Sequence, residues 1–217
     1  MTRVLITGAD TKLGVAVNDY FTTRGAVTAA PPVGVDHTDR ATVRDAVRQV
    51  AERMGGIDVL VTAHALPHVA AFTEQSMAEF WGHVDATLTG SFLYAQTTAE
   101  HMRDNRTGGR IVLTTSRWHI GGPGLAAVAT AAGGIVALTK TLTRDFGVFG
   151  IGVNAVAIGG VDSEWSVCDP EVATPPLGRP GTVQQVANLI GLLSRPQLKA
   201  AVGQIVNVDG GLSRNRV

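Results

Sequence analysis

A doubly wound α/β fold, a parallel sheet with helices on both faces, is what this sequence predicts, and three observations predict it. Short β-branched runs recur along the chain: VLIT (4–7), IDVLVT (57–62), RIVLTT (110–115), GVNAVAI (152–158) and QIVNV (204–208). Their nearly unbroken apolar character marks strands buried on both faces, as in parallel sheets. Segments with 3.6-residue periodicity lie between them. Strand and helix alternate in order, which implies right-handed crossovers and ligands held beyond the carboxyl ends of the strands. With 217 residues and 45% hydrophobic content, the chain can bury one sizeable core, and 1–217 reads as a single domain without linker or repeat.

The first strand, VLIT, runs directly into the turn TGADTKLG (7–14). Next, 26–28 (AVT) and 33–35 (VGV) are separated by only AAPP (29–32). A parallel crossover needs about a dozen residues or more, and two prolines forbid a helix there. One strand–helix unit is therefore missing, and the sheet edge at the second and third strands is short. Val43, Ala46, Val47, Val50 and Met54 share one helix face, stopped by Gly55 and Gly56. A long helix is expected over 76–102 and another over 125–142, with Gly133 and Gly134 in its middle. Each glycine inside a helix costs about 1 kcal/mol relative to alanine, so a close backbone approach is expected there. Thr182 caps the helix carrying Val183, Val186, Ala187, Ile190 and Leu193.

Eighteen basic residues balance eighteen acidic ones, with no run of like charge, which gives nucleic acid or an anionic membrane no positive field to meet. The single Cys168 cannot form an internal disulfide, and no charged-then-apolar leader precedes the first strand, so a cytoplasmic protein is expected. The most apolar run, 125–138, is shorter than the roughly 20 residues of a spanning helix. His64 and His68 have the spacing of a metal pair, but Pro67 lies between them, and no metal site is expected.

Several stretches together are similar to the short-chain dehydrogenase/reductase family, nearly end to end. TGADTKLG stands at its Gly-rich turn, VDHTD (35–39) at its aspartate after the third strand, and TLTGSF (87–92) at its NLxGxF helix. RIVLTTS ends on Ser116 where the catalytic serine falls, VNAVAIGGVDS (153–163) is similar to VNAVxPGxxxT, and GQIVNVDGG (203–211) to the C-terminal signature. The resemblance implies a Rossmann-like sheet. The family's catalytic tyrosine and lysine, thirteen and seventeen residues after the serine, fall on Ala129 and Gly133 here. Lys140 is seven residues further on, about 10 Å along the axis. Thr87 stands for the asparagine of NLxGxF, Lys12 for the middle glycine of the turn, and Thr62-Ala63-His64-Ala65 for NNAG.

These departures lead to an expectation of no cofactor, with Gly8, Gly14 and Asp36 as vestiges of a nicotinamide dinucleotide site. Asp36 also reads as a helix cap, and Lys12 as a solvent-facing residue or an anion contact. The catalytic candidates are Ser116, His64, His119 and Asp162; each also reads as a plain loop or polar contact, and Asp162, Ser163, Glu164 and Trp165 fall in the family's substrate loop. The helices 76–102 and 125–142 match the elements through which the family forms oligomers. The first functional reading is a subunit without redox chemistry of its own, supporting an active homologous partner in specialised metabolism. The second is a repurposed lyase, dehydratase or cyclase with a small-molecule substrate. The third is an NAD(P)-dependent oxidoreductase with an unusual proton donor.

Overall fold

The computed structural model describes residues 1–104, 108–169, 174–198 and 200–213. Strand β1 (Arg3–Thr7) leads into α1 (Lys12–Thr22), followed by β2 (Val27–Ala29), α2 (Arg40–Met54) and β3 (Val59–Thr62). Helices α3 (Met77–Val84) and α4 (Gly90–Asp104) precede β4 (Gly109–Ser116), α5 (Ala126–Phe146) and β5 (Ile151–Ile158). Two short strands, β6 (Val161–Asp162) and β7 (Gly181–Thr182), pair with each other ahead of α6 (Val183–Leu193) and β8 (Ile205–Val208). The main sheet is parallel, in the order β2-β1-β3-β4-β5-β8.

The sheet is the expected doubly wound one, with a shortened edge. After the three-residue β2 the chain passes 30–39 without a strand, and 33–35 (VGV) forms none. With no helix between, 33–35 could not have returned to lie parallel to β2. The chain moves to one side of β1 for β2 and to the other for β3, so the topological switch point lies between the carboxyl ends of β1 and β3.

Burial in two layers holds the sheet. On one face Leu13, Val17 and Phe21 of α1 meet Val186 and Ile190 of α6 over Val4, Ile6, Val112 and Val156. On the other, Val43, Val47 and Val50 of α2, Tyr94 and Met102 of α4, and Ile135 of α5 cover Leu5, Leu60, Ile111 and Val153. Local signals set the helix ends. Asp39, rather than Asp36, caps α2 by accepting the Thr42 N–H at 2.8 Å, and Thr182 with Gln185 forms a capping box on α6.

Two helices differ from expectation. The helix read over 76–102 is interrupted by a π-helical turn, Asp85–Thr89, a feature frequent near functional sites. Helix α5 runs on beyond the apolar stretch, and Ala126–Phe149 is long and apolar enough to cross a membrane by length and composition. Here it lies against β4 and β5 with Ala131, Ala132 and Ile135 buried, as a core helix does. The glycine pair in its middle splits in role. A Cβ on Gly134 would come within 2.5 Å of Leu88 Cδ2, so the close approach is to the π-helical turn of the same chain. A Cβ on Gly133 would meet only the His119 carbonyl, at 3.7 Å.

Candidate functional site

At the switch point the turn 7–14 closes tightly. Gly8 has φ +64°, which favours glycine, and a side chain on Gly14 would collide with the Gly8 carbonyl. Thr11 caps α1 by accepting the Gly14 N–H at 2.9 Å. The Lys12 N–H donates to Glu164 Oε1 at 3.0 Å, and Lys12 Nζ lies 3.9 Å from Asp162 Oδ1. The start of α1 thus already holds a carboxylate, as a helix N-terminus with unpaired amides favours. Lys12, Asp162 and Glu164 line a groove of about 630 Å³. A larger cavity, about 890 Å³, lies at the opposite, amino end of the strands. There Arg24 Nη1 donates to the Tyr20 carbonyl at 3.0 Å and Arg110 Nη2 to the Pro196 carbonyl at 3.1 Å, while the buried Arg110 Nε has no hydrogen-bond partner among the described residues.

Beside the turn, His64 bridges the two strands that flank the switch point. Its Nδ1 is 2.7 Å from Thr7 Oγ1, and its Nε2 is 2.9 Å from the Ala86 carbonyl. The carbonyl can only accept, so Nε2 carries the proton and Nδ1 accepts from the threonine hydroxyl. His37 stacks on His64 with ring centroids 4.7 Å apart, and its Nδ1 is 3.0 Å from the hydroxyl of Tyr94. Burial and the neighbouring His37 push the pKa of His64 down to about 3, and burial lifts the Tyr94 phenol well above its ordinary value. A histidine so bonded and so weakly basic is a structural wall, which removes it from the acid–base candidates.

Asp36 also turns inward to its own loop. Its Oδ1 accepts from the Thr38 N–H at 2.8 Å and from the Thr38 hydroxyl at 2.7 Å, and these bonds hold its pKa below the usual carboxylate value.

The other half of the crevice lies beyond β4 and β5. Ser116, 1% exposed, accepts the Trp118 N–H on its Oγ at 3.2 Å, which leaves its own O–H free to donate. His119 sits one turn later, with Nδ1 3.0 Å from the Ser116 carbonyl. By the same logic Nδ1 carries a proton, and Nε2 is the nitrogen available to exchange one. Ala129 and Gly133 are both partly exposed, and Gly133 faces the His119 carbonyl. Asp162, by contrast, is 83% exposed at the groove rim and stands apart from this pair.

Sequence reasoning missed a buried lock next to Ser116. Arg117 Nε donates to Asp169 Oδ1 at 2.6 Å, the Trp118 indole N–H donates to the same oxygen at 3.2 Å, and Asp169 Oδ2 accepts the Gly160 N–H at 2.6 Å. The Arg117 stem lies against Gly159, where a side chain would collide with it. Arg117 and Asp169 are 52 positions apart, and no spacing rule joins them. His37 and Tyr94 were missed for the same reason.

The phosphate end of a dinucleotide fits this structure: a tight glycine turn, an anion-accepting helix start and a lysine beside it. On the nucleoside side stands the wall of His64, His37 and Tyr94.

A family model described as Enoyl-(Acyl carrier protein) reductase matches residues 2–213. The 3-oxoacyl-[acyl-carrier-protein] reductase FabG of Thermotoga maritima is 27% identical over 236 residues, covering 96% of this chain and 96% of that protein. Subunit BbsD of the (2S)-[(R)-hydroxy(phenyl)methyl]succinyl-CoA dehydrogenase of Thauera aromatica is 30% identical over 218 residues, covering 97% of this chain and 86% of that subunit. The crystal structure of a short-chain type dehydrogenase/reductase from Mycobacterium marinum superposes with a TM-score of 0.89 at 27% identity, covering 98% of this chain and 95% of that one.

These likenesses correct the expectation of a subunit without redox chemistry, and with it the repurposed lyase, dehydratase or cyclase. Proteins similar across nearly the whole chain are named as a reductase and a dehydrogenase. The expectation of no cofactor loses its footing with them. Its physical weakness lay in treating one helix face as the whole site. The resemblance alone set the family's phenol and ammonium at Ala129 and Gly133, whereas the crevice, the serine and a neighbouring histidine are present, and a proton can be handled by any well-placed group of suitable pKa. The chain belongs to the short-chain dehydrogenase/reductase family.

Proposed function

We propose that this protein is an NAD(P)-dependent oxidoreductase that interconverts the ketone and secondary alcohol of a 3-oxoacyl or 3-hydroxyacyl thioester. The observation that carries the reading is His119 held by its Nδ1 on the Ser116 backbone carbonyl at the end of β4, in a chain whose full-length relatives are named for that chemistry. The turn 7–14 and the start of α1 would hold the pyrophosphate. When bound, the nicotinamide supplies or accepts the hydride.

The chain's own residues do the rest. The Ser116 hydroxyl donates a hydrogen bond to the substrate oxygen and orients the carbonyl. His119 gives a proton to that oxygen during reduction, or takes one during oxidation, through Nε2. Its Nδ1–H, fixed on the Ser116 carbonyl, sets the tautomer and the ring orientation. Trp118, stacked under the Arg117 guanidinium at 4.0 Å, walls the substrate half and helps exclude water.

Oligomer formation through the 76–102 and 125–142 helices is part of the proposal. Trp81 and Phe92 are 52% and 41% exposed on the first of these, and the Thauera relative is named as a subunit. One functional domain in the cytoplasm is also part of it, consistent with a single buried thiol, Cys168.

The test is oxidation of NADH or NADPH with 3-oxoacyl thioesters, together with the reverse reaction. General acid–base assistance is worth about 10²- to 10⁴-fold, and His119→Ala should lose that much in kcat, with Ser116→Ala also impaired. No turnover of any such thioester with either dinucleotide would sink the proposal.

A further inference from the structure

The carboxylate at the start of α1 comes from a distant part of the chain, 152 positions away. The segment that follows β5 crosses the crevice and places two acids at one spot. Glu164 engages the Lys12 N–H at 3.0 Å, and Asp162 stands 3.9 Å from the Lys12 ammonium. A first-turn amide and an adjacent cation are the two features an incoming phosphate would use.

We infer that Glu164 is an autoinhibitory latch: in the free protein its carboxylate holds the phosphate position, and it must turn away before a pyrophosphate ester binds. The inference rests on reading the 7–14 turn as a dinucleotide phosphate site.

The base and the tip of the segment are built differently. At the base, Asp169 is tied to Arg117, Trp118 and Gly160, with the Arg117 and Asp169 side chains 8% and 10% exposed. At the tip, the Lys12 and Asp162 side chains are 60% and 83% exposed, and solvent screens such a pair. Ser163 and Trp165, on either side of Glu164, are 5% and 7% exposed. Release therefore needs rotation of the Glu164 side chain alone, with its neighbours still in the core. The segment keeps its place over the substrate half while the phosphate position opens.

Calorimetric titration of the full chain with NADH, NADPH and inorganic pyrophosphate tests this, using wild type, Glu164→Gln and Glu164→Ala. Removing a carboxylate that competes at a helix start should tighten binding by about two- to tenfold. Glu164→Gln should fall between the other two, since its amide oxygen still accepts from Lys12 but carries no charge. Hydrogen exchange at the Lys12 amide should be faster in Glu164→Ala. Equal or weaker affinity of the variants overturns the latch, as does failure of every protein to bind all three probes. If pyrophosphate binds more tightly to the variants while neither dinucleotide binds any protein, the latch stands and the cofactor reading falls.

Discussion

The two halves of the crevice are held by different forces. On the substrate side, β4 and β5 pair over eight consecutive positions, from Gly109 with Ile151 to Ser116 with Ile158. A buried ion pair then fastens the loops beyond them. On the nucleotide side, β1 and β2 pair over only three positions, and past them the chain relies on a histidine stack and a carboxylate at a helix start. Sheet pairing fixes the first half regardless of ligand. The second half is closed by polar contacts that protons or anions can compete for. In this protein, order on the β4–β5 side of the crevice is built in by sheet pairing, and order on the β1–β2 side is conditional.

The sharpest way to break the substrate half is Asp169→Ala. It leaves Arg117 buried and positively charged without a partner, a change that typically costs about 3–5 kcal/mol. Urea unfolding should show a loss of that size. Asp169→Asn, which keeps one acceptor oxygen for the Arg117 and Trp118 donors while its amide nitrogen cannot accept from the Gly160 N–H, should lose less. Equal stability of all three proteins would show that the lock contributes nothing to the difference between the halves.

Acid should break the nucleotide half first. His64 has a pKa of about 3 in the folded protein, below its ordinary value near 6.5, so the unfolded chain binds more protons between those limits. The stability from keeping His64 neutral is full above about pH 6.5 and falls as the pH drops toward 3, by about 1.4 kcal/mol per pH unit at most. His37 and His83 are shifted in the same direction by burial and add to the slope. Stability measured from pH 7 to 4 should fall steeply in wild type and less steeply in His64→Gln. Parallel curves would remove His64 as the cause.

The smallest effect concerns the glycine pair. Gly133→Ala meets only the His119 carbonyl, at an ordinary contact distance of 3.7 Å, and should stabilise the helix by up to about 1 kcal/mol. Gly134→Ala gains the same helix preference but presses on Leu88, so it should be neutral or destabilising. Thermal melts of the two variants distinguish them. A Gly133→Ala protein that melts lower than Gly134→Ala would reverse the assignment of which glycine the packing requires.

Much of the fold was legible because its signals are local. Nearly unbroken apolar runs give buried strands, 3.6-residue spacing gives the helices, and two prolines with too few residues between 28 and 33 remove a strand. Gly8, Gly14 and Ser116 could be placed by order along the chain, since each sits at a strand end that the pattern defines. The π-helical turn at Asp85–Thr89 was not legible, because its residues fit a plain helix and only packing against Gly134 and Thr87's burial distinguish it.

By itself, then, the sequence determined the sheet, its short edge, the position of the crevice and the absence of a tyrosine and lysine at 129 and 133. These follow from backbone chemistry and from spacing within a few residues. Only the tertiary structure decided what occupies the crevice. Glu164 reaches Lys12 across 152 positions, Asp169 reaches Arg117 across 52, and His64 reaches Thr7 across 57. A charge or a ring gains from a partner according to distance and burial, not according to separation along the chain, and both quantities exist only once the two layers of helices have closed on the sheet.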